Sequence, residues 1–108
     1  MSIEQSDRVD AVGVDASSGK VILTISDDLD WSDESSHLLA LQDKLNAYLR
    51  FIESGELLEK YPAAAGRKVR IQVFCKYAPS LDGERLLERA REIVEGAGFL
   101  FSWRVLAA

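Results

Sequence analysis

The sequence predicts an α/β chain of the α+β type: a two-layer sandwich in ββαβαβ order, with a mixed four-stranded sheet and two main helices on one face. Three observations carry this. Short runs of β-branched and aromatic residues alternate with period two, two longer stretches repeat their apolar residues every three or four positions, and each of those stretches lies between two strand-like runs. A crossover through a helix joins parallel strands, and right-handed crossovers running the same way across a sheet place both helices on one side. With only two such helices and strands of alternating polarity, one face of the sheet is left without a helical layer.

The first element is a hairpin. Val9 to Val14 and residues 20 to 26 read as strands, and Asp15-Ala16-Ser17-Ser18-Gly19 between them supplies turn residues, with Gly19 free to take positive φ. From Ser32 the period changes, and Leu38, Leu41, Leu45, Leu49 and Ile52 form one apolar stripe. Ser32 or Asp30 is expected to cap this helix, with Asp33 and Glu34 in its first turn, where the helix dipole favours negative charge. Gly55 ends it, a short further turn is expected from Glu56 to Tyr61, and Ala63-Ala64-Ala65-Gly66 reads as a loop.

In the third strand Val69, Ile71, Val73 and Cys75 alternate with Arg70, Gln72, Phe74 and Lys76. The second helix starts near Ser80 or Asp82 and is expected to bury Leu86, Leu87, Ala90, Ile93, Val94 and Ala97 before Gly96 and Gly98 stop it. Phe99, Phe101, Trp103 and Val105 alternate with Leu100, Ser102, Arg104 and Leu106 in the last strand.

The bulk composition bounds the function. At 108 residues, with 47% hydrophobic and 29% charged residues, the chain is expected to fold as a single domain over 1–108 around one modest core. No basic segment precedes an apolar run at the start, and no apolar run approaches membrane-spanning length, so neither a signal peptide nor a membrane span is expected. Cys75 is the only cysteine, which rules out an intrachain disulfide and makes the cytoplasm the expected compartment. The net charge is −5, and its source is the first third of the chain, where nine acids face only Arg8 and Lys20. Such a chain repels phosphate backbones at long range, so no nucleic-acid partner is expected unless a local basic face overrides the charge.

Two surfaces stand out as binding surfaces. One is the polar cluster from Ser26 to Glu34 at the end of the second strand; there Asp27, Asp28, Asp30 and Trp31 are joined by Lys76 and Tyr77, which leave the third strand at the same edge. Carboxylates so close together can hold a hard cation or divide acid and base work, but their spacing matches no established ligand loop. Helix capping around an acidic loop is the simpler account. The cluster also lacks the glycines that let backbone amides reach a phosphate. The other surface is the helix-free sheet face, where Ile22, Arg70, Phe74, Leu100 and Arg104 mix large apolar groups with arginines, the residue types that anchor protein interfaces.

His37 is the only histidine, and without cysteines beside it a structural or incidental role is expected, with no metal site and no cofactor. Cys75, on the apolar face of its strand, is expected to be buried and inert. The segments just read resemble a family of small bacterial α/β proteins of unknown function. The likeness lies in Val21 to Ser26, Asp28-Leu29-Asp30-Trp31, His37-Leu38-Leu39, Gln42, Lys44-Leu45-Asn46, Tyr48-Leu49, Phe51-Ile52-Glu53-Ser54-Gly55-Glu56 and Tyr61-Pro62. It runs to about Cys75, weakens beyond, and implies a compact α/β domain with no assigned activity. The expected function is therefore a non-enzymatic protein-interaction module using the acidic loop at 27–34 or the open sheet face, with a protein partner or a second copy as a homodimer. The alternative is a small metal-dependent hydrolase built on Asp27, Asp28 and Asp30, with His37 assisting.

Overall fold

The computed structural model describes Val9 and residues 11–106. Its elements are β1 (Ala11–Val14), β2 (Val21–Asp27), α1 (Glu34–Glu53), α2 (Glu56–Lys60), a 3-10 turn (Pro62–Ala64), β3 (Val69–Cys75), α3 (Leu81–Gly96) and β4 (Leu100–Val105). The sheet runs β1-β2-β3-β4. β1 pairs antiparallel with β2 from Ala11↔Thr24 to Val14↔Val21, while β2–β3 and β3–β4 are parallel. The β2–β3 register runs from Val21↔Val69 to Asp27↔Cys75, so both strands end at the same level.

The hairpin closes as its sequence directs. Gly19 takes φ 73°, and the Asp15 carboxylate accepts from the hydroxyls of Ser17 (2.9 Å) and Ser18 (2.6 Å). Those hydroxyl bonds, Ser18's first, hold the Asp15 carboxyl below the usual carboxylate range.

One core joins the layers. Val21, Leu23, Ile25, Val69, Ile71, Val73, Cys75 and Phe101 from the strands meet Leu41, Leu45, Tyr48 and Phe51 of α1 and Leu87, Ala90 and Val94 of α3. Leu23, Ile25, Ile71 and Val73 are fully buried, and each such side chain contributes roughly 1.5–3 kcal/mol relative to exposure. Because side chains alternate along a strand, Ile22, Thr24, Arg70, Gln72, Phe74, Leu100, Ser102 and Arg104 project to the other face, which none of the helices covers.

Several local expectations need correction. The second strand runs one residue further than expected and takes Asp27 into the sheet. Val9 is described but lies outside β1, and residue 10 of the expected first strand falls outside the described residues. The cap of α1 is neither Ser32 nor Asp30 but Asp33, whose carboxylate accepts from the Ser36 amide at 3.3 Å. Asp30 instead accepts from Ser32, closing a turn just before the helix.

The buried stripe of α1 is His37, Leu41, Lys44, Leu45, Tyr48 and Phe51, whereas Leu38, Leu49 and Ile52 are only half-buried. The apolar period located the helix but not its rotation, since long polar side chains can be buried when their polar ends find partners. Tyr48 illustrates this, donating its hydroxyl to the Thr24 carbonyl at 2.7 Å. On α3, Leu87, Ala90 and Val94 are buried as expected and Leu86 is half-buried, but Ile93 and Ala97 are exposed and Gly83 is buried instead. The expected loop after Pro62 contains the 3-10 turn, with Ala64 in the core.

Candidate functional site

The parallel strands β2 and β3 deliver Asp27 and Cys75 side by side, both facing the helices and both buried. A carboxylate in such a place is costly unless its oxygens are bonded. Here one oxygen accepts from the Leu29 amide at 3.2 Å, and the other lies 2.6 Å from Nε2 of His37 in the first turn of α1. The two side chains are each 1% exposed. His37 Nδ1 lies 2.8 Å from the Asp30 carbonyl oxygen. A carbonyl can only accept, so Nδ1 carries a proton and donates.

Trp31 closes the cluster. Its ring stacks on His37 with centroids 3.5 Å apart and planes 18° from parallel. The far edge of the indole rests against α3 at Gly83, where a Cβ would stand 2.6 Å from Cη2 of Trp31 and 3.0 Å from the Pro79 Cβ. Only glycine leaves room there. Trp31 Nε1 is buried with no hydrogen-bond partner among the described residues.

Electrostatics follows burial. Desolvation raises the Asp27 carboxyl above its ordinary value, opposed by the His37 bond. Burial, with the charge of Asp27 next to it, pushes the Cys75 thiol up to about 12, so it stays protonated and unreactive. Asp30 goes the other way, held below the usual range by the Ser32 hydroxyl.

Of the six binding residues expected from sequence, the fold brings Asp27, Asp30 and Trp31 together around His37. Asp28, Lys76 and Tyr77 stay outside that cluster and are exposed. Lys76 joins the edge only through its amide, which donates to the Asp27 carbonyl at 2.8 Å, while its ammonium lies 5.6 Å from the Tyr77 ring centroid. Among the described residues no three His, Cys, Asp or Glu side chains gather in a group suited to a metal ion. Asp27 and Asp30 direct their carboxylates to different partners, and the Asp27 and His37 side chains are each 1% exposed.

Sequence reasoning placed His37 on α1 and expected little of it, and it missed Gly83. A signal for the pair was present. Asp27 continues the inward parity of Val21, Leu23 and Ile25, and a carboxylate on a core face requires a partner. Gly83 had no such signal, because the indole it accommodates lies in a distant part of the chain.

The second region is the open sheet face. The Arg104 guanidinium lies 4.9 Å from the centroid of the Phe74 ring, its register partner, and Gln72 donates to Thr24 Oγ1 at 3.4 Å. A shallow hollow of about 380 Å³ lies over Gln72, Phe74, Ser102, Trp103 and Arg104. Ile22, Phe74 and Leu100 are half-buried, and no strand residue described on this face is acidic. The charge of the chain is thus segregated: Arg70 and Arg104 occupy the sheet face, and the acids described lie on the helices, in the hairpin turn and in the 27–34 segment.

Fold and site together define, over the described residues, a two-layer α+β fold with a cationic sheet face that no helix covers and a buried Asp27–His37 pair at its strand ends. Over residues 1–107 the chain matches a family of unknown function (DUF6572), and it belongs to that family. No curated protein and no solved structure matches it. No helix among the described residues is long and apolar enough to cross a membrane.

Proposed function

We propose that this chain is a non-enzymatic interaction module that uses the helix-free face of its sheet to hold an acidic segment of a protein partner. The observation that carries this reading is a row of parallel strands with one face that no helix covers, bearing Phe74 under Arg104, Ile22, Leu100 and Arg70, and no strand carboxylate among the described residues. Parallel strands are ordinarily covered on both faces. Aromatic and arginine side chains are the groups that anchor interfaces, and a face carrying only positive charge selects a negative partner and speeds its encounter.

A second copy is the weaker occupant. Two-fold pairing of these faces would bring together Arg70 and Arg104 from both chains with no strand carboxylate between them. The acidic loop is also the weaker surface, since Asp27, Asp30 and Asp33 are each bonded to neighbours in their own segment. The hydrolase alternative gains no support from a pair sealed under Trp31.

The test is titration of an oligoglutamate peptide into isotopically labelled protein, followed by amide chemical shifts at low and high salt. Shifts are expected on β2, β3 and β4 around Ile22, Arg70, Phe74, Leu100 and Arg104, weakening with salt and lost in Arg70→Glu/Arg104→Glu. Shifts confined to the helices or the 28–33 loop would overturn the proposal. So would tighter binding of single-stranded RNA, or a sedimenting dimer that Phe74→Glu splits.

A further inference from the structure

We infer that Asp27 and His37 form a proton-sharing lock that keeps the 28–33 segment and Trp31 shut over the strand ends, and that the segment opens when the pair loses a proton. The inference comes from counting protons against acceptors. Nδ1 must donate to the Asp30 carbonyl, so one ring proton is committed. Nε2 and the Asp27 oxygen stand 2.6 Å apart, a separation that needs a proton between them. The proton sits either on nitrogen, giving imidazolium and carboxylate, or on oxygen, giving imidazole and carboxylic acid. Both arrangements hold the same number of protons and the same total charge, so the shared proton belongs to the pair and not to either side chain. Removing one proton leaves a single ring proton for two acceptors; it stays on Nε2 against the Asp27 carboxylate, and the Nδ1 lone pair then faces the Asp30 carbonyl oxygen beside side chains that are each 1% exposed. That contact is repulsive and unsolvated, and separation of the Asp30 carbonyl from the ring relieves it.

Separation must move the segment. His37 is fixed on α1 and Asp27 in the sheet, but the Asp30 carbonyl and the Trp31 ring are held to His37 by one hydrogen bond and one stacking contact. Trp31 has nothing else polar to hold it, because its own Nε1 makes no hydrogen bond among the described residues. The neighbouring groups do not supply a competing proton. Cys75 on β3 remains a neutral thiol, and the Asp30 carboxylate is turned to Ser32. Asp28 is exposed, Lys44 lies two turns along α1 with its ammonium 5.7 Å from the Tyr48 ring, and Asp82 at the start of α3 pairs with Arg85. Gly83, the part of α3 that meets the cluster, brings no charge.

The chain has two tryptophans, so the experiment uses a Trp103→Phe background in which Trp31 alone reports. Fluorescence is followed from neutral to alkaline pH beside proton and nitrogen NMR of the histidine ring. In the parent protein a strongly deshielded bridging proton is expected at neutral pH. On raising pH the Nδ1 proton should be lost in the same transition that shifts Trp31 emission to the red. Asp27→Asn replaces the pair by a non-titrating one: its amide nitrogen donates to Nε2 while its oxygen still accepts from Leu29. The expected result is a proton-free Nε2 and Trp31 emission that no longer follows pH. If that variant does not fold, His37→Gln, which can donate to Asp27 without titrating, should likewise give constant emission. Absence of the bridging proton at neutral pH would overturn the lock. So would loss of the Nδ1 proton without any change at Trp31, or an unaltered emission transition in the variant that folds.

Discussion

The chain makes the same move twice at one edge of its sheet, and the two outcomes differ. β2 ends in Asp27 and β3 in Cys75, register partners facing the same core. After β2, the segment to α1 folds back over the strand end, uses its carboxylates internally and seals a charged pair beneath an indole. After β3, the link to α3 leaves Lys76 and Tyr77 exposed and caps the helix with Ser80, whose hydroxyl accepts from Gly83. A buried thiol can remain neutral without a partner, whereas a buried carboxylate needs one, and that need organises the whole first junction. The junctions meet at Gly83, where the second makes room for the indole of the first.

The sharpest way to break this comparison is to remove the partner on one side only. His37→Leu should destabilise the fold by about 3–5 kcal/mol at neutral pH, because it leaves Asp27 buried without its counter-group. Cys75→Val, at the matching position, should cost less than about 1.5 kcal/mol as a nearly volume-conserving change. Urea unfolding of the two variants measures both, and equal losses would mean that the thiol carries a structural role the geometry does not explain.

The meeting point comes next. Gly83→Ala should cost about 1–3 kcal/mol by overpacking against Trp31 and Pro79, and most of that cost should vanish when Trp31 is first replaced by Leu. A double-mutant cycle on thermal or urea unfolding reads the coupling, and additivity would separate the indole from α3.

The helix caps sharpen the contrast at lower amplitude. Asp33→Ala and Ser80→Ala each remove one bond to a first-turn amide, at Ser36 and Gly83 respectively, and each should cost about 1 kcal/mol. Both should also disturb the environment of Trp31, Asp33→Ala through its own segment and Ser80→Ala through Gly83, and both changes are visible in its fluorescence.

The smallest effect is a slope in pH. Burial raises the Asp27 carboxyl above its ordinary value of 3.8, so the folded pair keeps a shared proton that an exposed carboxyl would release. Stability contributed by the pair is therefore lost as pH rises through the window in which that proton leaves. The thermal midpoint of the parent protein relative to Asp27→Asn should fall across that window, and a difference that rises with pH would contradict the assigned direction.

The sequence made the order of elements and most core positions legible because they depend on local periodicity, and the mixed sheet with both main helices on one face followed from the right-handed crossovers that this order requires. Alternation in Val69 to Cys75 and the hydroxyl-rich turn at Asp15 to Gly19 needed no information from elsewhere in the chain. It also indicated that Phe74 and Arg104 would share the uncovered face, since parity along a strand carries over directly to a face of the sheet. Packing of helix on sheet was needed to place Asp27 in the sheet and not in the loop, to turn His37, Lys44 and Tyr48 of α1 inward, and to bring Trp31 against Gly83. The reason is physical: a polar side chain enters a core only when a partner awaits it, and that partner is set by the packing of helix on sheet. Apolar spacing reports that a face is buried but cannot name which polar groups a neighbouring element will satisfy.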